Sequence, residues 1–116
     1  MYPKRQRIGS RKEVFEVIRK GYFVRGELLS LKVLRRNQGT ARFTVVVSTK
    51  ISKKAVVRNK IKRRIREILR HLTPSMKAGF DIVVLTYPRI IRASYQQIRY
   101  DIFFVIQKAR LYNGKS

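Results

Sequence analysis

The chain has 116 residues and a formal net charge of +23, because 29 Lys and Arg residues outnumber 6 Asp and Glu. This length fits one domain with a single core, and such a charge favours a polyanionic partner, with nucleic acid as the obvious one and a bilayer surface as its competitor. The lack of cysteine and the single histidine exclude disulfides, thiolate metal sites and histidine clusters. No run of about 18 apolar residues and no signal-peptide core occurs, so we expect a cytoplasmic protein without a membrane partner.

The N-terminal part of the chain is predicted to be a basic arm followed by a helix. Residues 1–9 lack periodicity, and we expect them to stay flexible until they meet a partner. Ser10 begins the helix in a capping-box pattern with Glu13, and Gly21 is expected to end it in a left-handed conformation. The apolar side chains of the helix recur at helical spacing and should pack on a sheet; they are Val14, Val17 and Ile18.

Extended segments follow this helix, and the first of them, Tyr22 to Val24, is short. Residues 28–35 alternate better, with leucine and valine on one side and Ser30 and Lys32 on the other. The tripeptide Asn37-Gln38-Gly39 has turn chemistry, and the β-branched run at 42–48 reads as a returning strand. The pattern therefore predicts an antiparallel hairpin of these two strands.

The most informative segment is AVVRNKIKRRIREILR at 55–70, in which seven of sixteen residues are Lys or Arg. At about 100° per residue its apolar side chains share one arc, which is typical of a helix packed on a core; they are Val57, Ile61, Ile65 and Ile68, continued by Leu72. Like charges at i,i+4 repel, so an anion should sit against the cationic remainder. The predicted RNA-binding residues are Lys50, Lys53, Lys54, Arg58, Asn59, Lys60, Lys62, Arg63, Arg64, Arg66 and Arg70.

The C-terminal third is predicted to hold one strand and one helix. Residues 80–85, FDIVVL, form a short apolar run that is typical of a strand buried on both faces. A loop at 87–93 leads to a second capping-box pattern, Ser94 with Gln97, and to a helix that ends near Ala109. Residues 113–116 are expected to be a frayed tail. The order α-β-β-β-α-β-α predicts an α/β fold, an α+β two-layer sandwich, in a single domain at 10–112.

Catalytic residues are not expected in the polypeptide. A metal-dependent nuclease needs converging carboxylates, whereas Glu13 is assigned to a cap, Glu67 lies among arginines, and Asp81 and Asp101 would meet only by tertiary chance. A lone His71 near a helix end is more often solvated than catalytic. The glycines form neither a dinucleotide-binding motif nor a P-loop. We therefore expect neither a catalytic residue nor a metal site in the protein.

The segment VVVSTKISKKAVVRNKIKRRIREILR resembles the signature of the protein subunit of bacterial ribonuclease P. In that family a helix with an Arg-Asn-Arg motif follows a strand and a short basic connection, and here the motif stands as Arg58-Asn59-Lys60. The likeness extends from Arg7-Ile8 and the spacing to Gly21, through the strand at 79–84, to the closing helix at 95–110. It thus covers nearly the whole chain.

The resemblance implies an α/β sandwich with an unusual left-handed βαβ crossover through the motif helix, and a single RNA-binding domain. It implies a monomeric protein bound to a catalytic RNA that, with magnesium (Mg) held mainly by the RNA, removes the 5′ leader from precursor tRNA. The leader cleft of the family would be lined here by Val14, Phe15, Ile18 and Leu31. Because these are mostly aliphatic, we expect shape and phosphate contacts there rather than base stacking.

Two other functions stay open on the sequence alone. A general structured-RNA binder, such as a ribosomal protein or RNA chaperone, would share the charge and the amphipathic helix but not the Arg-Asn-Lys motif in this order of elements. A protein-only nuclease would cleave RNA without an RNA subunit and would depend on Asp81, Asp101 or His71.

Overall fold

Three α-helices and four strands follow one another in the predicted order α-β-β-β-α-β-α, in a computed structural model that describes residues 7–36 and 39–113. The elements are α1 (Arg11–Lys20), β1 (Tyr22–Arg25), β2 (Leu29–Arg35), β3 (Arg42–Val46), α2 (Ala55–Leu72), β4 (Phe80–Thr86) and α3 (Tyr95–Lys108). Short 3₁₀ turns at Thr73–Ser75 and Pro88–Arg92 follow α2 and β4. Most of the predicted arm, the centre of the predicted turn at 37–38 and the end of the tail lie outside the described residues.

The four strands form one sheet in the order β1-β2-β4-β3, and the predicted hairpin of β2 with β3 is wrong. β4 lies between them, antiparallel to β2 and parallel to β3. Val83 and Val84 point to opposite faces of the sheet and both are buried. β4 is therefore shielded from water on both faces, which explains its apolar sequence and its central position. The chain passes from β3 to β4 through α2, and the left-handed sense of this crossover stays a prediction.

The main core lies between the sheet and the two helices α2 and α3. The alternation predicted for β2 is confirmed, since Leu29, Leu31 and Val33 are buried on this face. They pack with residues of the facing helices in one continuous cluster; these are Ile61, Ile65, Ile68 and Leu69 of α2 and Ile98, Ile102, Val105 and Ile106 of α3. The sandwich of sheet and helices is therefore confirmed.

α1 packs on the opposite face of the sheet, where Ile8, Val17 and Val83 form a smaller buried cluster. Residues before the predicted boundary at residue 10 contact the sheet, because Arg7 forms a bridge with Phe43 and the amide of Ile8 donates to the carbonyl of Phe43 at 3.2 Å. Residues 7–9 are therefore not part of a free arm. One apolar side chain, that of Ile8, is enough to tie this segment to the sheet.

Gly21 ends α1, but the predicted left-handed conformation is wrong, since its φ is −72° and its ψ is 157°. A Cβ at this position would lie 2.5 Å from the carbonyl oxygen of Val17 and 2.8 Å from that of Val33. Glycine is needed here because the helix end touches β2, a contact that helix-capping rules do not include. The predicted capping box of Ser94 and Gln97 at α3 is present with both of its hydrogen bonds.

Candidate nucleic-acid interface

α2 presents two opposite faces, as its sequence predicts. The side chains of Ile61, Ile65 and Ile68 are buried in the main core, together with Leu69, which the predicted apolar arc omitted. The polar residues on the other side face solvent to different extents. Asn59, Lys60, Arg63 and Arg70 are exposed, and Arg58, Lys62, Arg64 and Arg66 are half-buried. The cationic ridge, defined as these eight residues, is therefore anchored by the apolar side of the same helix.

The N-terminal end of α2 adds to the positive potential of this surface. Its N-cap is Lys54, without a side-chain hydrogen bond to the helix amides, and its first turn contains no acidic residue. The predicted residues Lys50, Lys53 and Lys54 are all exposed in the connection that leads into this turn. The positive end of the helix dipole and three ammonium groups thus act at one place, which favours an anion there.

Arg58, the first residue of the Arg-Asn-Lys motif, has a structural contact that its sequence position does not reveal. Its Nη1 donates to the carbonyl of Ser52 at 2.9 Å, across the turn that precedes the helix. Serine hydroxyls fold the same connection, since Ser48 Oγ accepts from the amide of Lys50 and Ser52 Oγ from that of Lys54. The basic connection is therefore held beside α2, so its lysines extend the cationic ridge.

Arg66 has a different status within the ridge. Its Nε is shielded from solvent and has no hydrogen-bond partner within the described chain. A buried donor without a partner costs free energy of folding.

The residues predicted for the leader cleft divide between the two faces of the sheet. Val14 and Ile18 are half-buried in the α1 cluster, and Phe15 is 65% exposed beside it. Leu31 is only 1% exposed and belongs to the main core on the other face, so it does not line a cleft with α1. The register of β2 is the reason, because neighbouring residues of a strand point to opposite faces.

Lys32 of β2 lies on the α1 face, paired with Phe23 of β1. The ring of Phe23 is 49% exposed, and Lys32 Nζ lies 5.6 Å from its centroid. The sequence predicted no base stacking on this face, but that prediction did not include the exposed ring of Phe23. The alternation of side chains along β1 could have revealed Phe23, because Val24 points into the main core and its neighbour Phe23 must point to the other face.

Asp81 is engaged in an ion-pair network with two arginines. Its carboxylate accepts from Arg36 Nε at 2.7 Å and from Arg42 Nε and Nη2 at 2.8 and 2.7 Å. Arg42 Nη2 also donates to Glu13 of α1 at 3.2 Å. Burial alone raises the pKa of Asp81, but the hydrogen bonds from Arg42 and Arg36 outweigh it and hold the pKa below its usual value.

Asp101 is buried on the other face of the sheet and accepts from three backbone amides. Those of Glu27, Leu28 and Leu29 donate to it at 3.0, 2.8 and 3.2 Å, which fixes the turn between β1 and β2.

Across residues 7–36 and 39–113, no group of three His, Asp or Glu side chains is arranged to hold a metal ion. Within the same ranges no helix combines the length and apolar character needed to cross a membrane. The fold and the cationic ridge define a small α+β protein with a cationic face whose charge is complementary to that of a polyanion.

The family model for ribonuclease P matches residues 2–110. The chain belongs to the ribonuclease P protein family. The ribonuclease P protein component of Pseudanabaena sp. is 37% identical over 115 residues, covering 98% of this chain and 99% of the relative. That of Clostridium botulinum is 35% identical over 111 residues, with 95% and 99% covered. Membership makes the chain a component of an endoribonuclease of tRNA processing and implies a ribonuclease P RNA as partner.

Solved structures of ribonuclease P proteins share the fold. The protein from Staphylococcus aureus superposes with a TM-score of 0.85 at 26% identity, covering 93% of this chain and 98% of that one. The protein from Thermotoga maritima gives a TM-score of 0.80 at 25% identity, with 88% and 96% covered. The arrangement of helices and sheet described above is therefore that of the family.

Proposed function

We propose that this chain is the RNA-binding subunit of a ribonuclease P in which the RNA subunit carries the catalysis and, with magnesium, removes the 5′ leader from precursor tRNA. The observation that carries the proposal is the cationic ridge of α2, with no acid in the first turn and with the isoleucines of the same helix packed in the core. Arginine binds phosphate through two hydrogen bonds and lysine acts as a point charge, so this ridge suits an RNA backbone.

The catalytic RNA and the leader bind to two different surfaces of the protein. The cationic ridge, with Lys50, Lys53 and Lys54, binds the catalytic RNA. The opposite face of the sheet carries Phe15 of α1, Phe23 of β1 and Lys32 of β2, and it binds the single-stranded leader by stacking and charge. Magnesium is held by the RNA, since the carboxylates of Asp81 and Asp101 already accept hydrogen bonds from the protein. The protein works as a monomer on the RNA in the cytoplasm.

A reconstitution assay tests the proposal. The protein is mixed with a bacterial ribonuclease P RNA and a 5′-labelled precursor tRNA at a magnesium concentration too low for the RNA alone. We expect release of the leader at the mature 5′ end, because the cationic ridge lowers the need for metal counterions. Unchanged cleavage would reject the proposal in favour of a general RNA binder.

The protein without RNA is the control. We expect no cleavage by it, and cleavage that is lost in Asp81→Asn or His71→Ala would instead identify a protein-only nuclease.

A further inference from the structure

The outer face of α3 carries large aromatic side chains that the core does not use. The isoleucines of this helix point into the core, whereas Tyr100 is 75% exposed and Phe103 and Phe104 are exposed as well. Neighbouring exposed rings are uncommon on a monomeric protein and mark surfaces that contact a partner. Phe103 is held in place by Tyr112, whose ring centroid lies 5.2 Å away.

These rings border an open groove of about 1190 Å³ that also involves the turn at Pro88–Arg92 and the turn between β1 and β2. Its charged lining is mostly cationic, with Arg89, Arg92 and Arg99. The two acids in the lining are already occupied, since Glu27 pairs with Arg89 at 3.0 Å and Asp101 accepts backbone amides. The groove therefore combines flat apolar rings with guanidinium groups that attract anions.

Arg99 connects this groove with the cationic ridge. It also lines a smaller recess between α2 and α3, together with His71, Leu72 and Tyr95. That recess lies at the C-terminal end of α2, next to Arg70 in sequence. Arg99 therefore borders both the groove and the recess at the C-terminal end of α2.

We propose that this groove, formed by Tyr100, Phe104, Arg92 and Arg99, binds an unpaired segment of the ribonuclease P RNA that docks on α2. Bases stack on the two rings and phosphates pair with the arginines, which is the chemistry of single-strand binding. Paired RNA does not expose the faces of its bases, and a second copy of this chain would bring another +23 charges to the same surface. The inference rests on the proposed function, because the RNA is the same molecule.

The double variant Tyr100→Ala with Phe104→Ala tests it, since both rings are exposed and their removal leaves the core intact. We expect the Kd for ribonuclease P RNA at fixed salt and magnesium to rise by about thirtyfold or more, because two stacking contacts of at least about 1 kcal/mol each are lost. The matched control is Tyr100→Phe with Phe104→Tyr, which keeps both rings and should keep the wild-type Kd. Equal thermal unfolding midpoints establish that all three proteins are folded.

A footprint with a single-strand-specific nuclease locates the contact on the RNA. We expect the wild-type protein to protect an unpaired segment that the double alanine variant leaves open, while protection by α2 is kept. An unchanged Kd and footprint, or a solution dimer of the wild type that the alanine variant abolishes, would overturn the inference.

The variant Arg63→Ala separates this failure from failure of the proposed function. If it weakens RNA binding and the aromatic variant does not, only the groove assignment is lost. If the wild-type protein itself fails to bind ribonuclease P RNA, both are lost.

Discussion

Asp81 shows how a single carboxylate can organise the surface around it without chemistry of its own. It joins Arg36 and Arg42, and Arg42 reaches Glu13, so one network ties β4 and β3 to α1. The position of α1 on the sheet places Phe15 on the same side of the sheet as Phe23. An acid that sequence alone leaves open as a catalytic candidate is thus a positioning group for the proposed leader surface.

Replacing Asp81 should destabilise the protein in a pH-dependent way. Asp81→Asn leaves two guanidinium groups without their carboxylate, and we expect the free energy of unfolding near neutral pH to fall by about 3 kcal/mol. Because the pKa of Asp81 is depressed in the folded state, its contribution is complete above the unfolded-state pKa of about 3.9 and is lost as pH falls through the lower folded-state value.

Urea unfolding of the wild type and Asp81→Asn across a pH series checks this. The difference between the two should be largest near neutral pH and should narrow below about pH 4. A difference that stays constant over the whole series would show that the carboxylate charge does not matter.

At the scale of elements, α2 carries both a structural and a binding role because its two faces are chemically separate. The burial of Ile61, Ile65 and Ile68 holds the helix on the sheet. The charge repulsion on the other side is tolerated because packing in the core, rather than helix propensity, provides most of the stability. Changes on one face should therefore leave the other largely unaffected.

A pair of truncations in α2 tests this separation. Ile65→Ala removes a fully buried side chain, and we expect the free energy of unfolding to fall by about 2–5 kcal/mol. Val56→Ala is the matched control in the same helix, since Val56 is 79% exposed, and it should change stability by less than about 0.5 kcal/mol. Denaturant titrations measure both. Equal effects of the two changes would contradict the assigned faces.

The register of β1 and β2 makes Phe23 the aromatic of the proposed leader face. We expect Phe23→Ala to weaken binding of the reconstituted holoenzyme to precursor tRNA by about fivefold or more, the effect of losing one stacked base. Mature tRNA, which lacks the leader, is the control ligand and should bind with unchanged Kd. A loss that is equal for both ligands would place Phe23 outside the leader contact.

For the whole molecule, the net charge of +23 dominates association with any polyanion. If six to ten phosphates are neutralised, affinity for ribonuclease P RNA should fall by about 10³ to 10⁵ between 50 and 200 mM monovalent salt. Arg63→Ala should weaken binding and reduce the slope of log K against log salt by about 1, while the fold stays intact because Arg63 is exposed.

Filter binding over a salt series measures both quantities, with Lys77→Ala as the control for an exposed cation outside α2. A nearly flat salt response, or equal effects of the two substitutions, would contradict a footprint centred on the cationic ridge.

Short sequence patterns predicted the helices and strands, because these elements depend on residues that are close together in the sequence. The capping serines, the apolar arc of α2, the alternation of β2 and the buried character of residues 80–85 all act over fewer than about ten positions. The pairing of the strands could not be predicted from such patterns. Turn residues at 37–39 show only that the chain can reverse its direction there, and β4 rather than β3 occupies the neighbouring edge of β2. The position of the predicted site residues of α2 on its non-core side followed from the same local periodicity, whereas Leu31 lies in the main core and not on the α1 face.

The sequence by itself determined the order of the elements, the two faces of α2 and the polyanionic character of the partner, since charge and helical periodicity are properties of short segments. Only the tertiary structure decided which strand is central, which residues share a face with α1, and which acids are already neutralised. The physical reason is range, because Asp81 and Arg42 are 39 positions apart and Asp101 and Leu28 are 73 positions apart. Such contacts form only when the chain folds, so the partners of Asp81 and Asp101 could not be read from neighbouring residues.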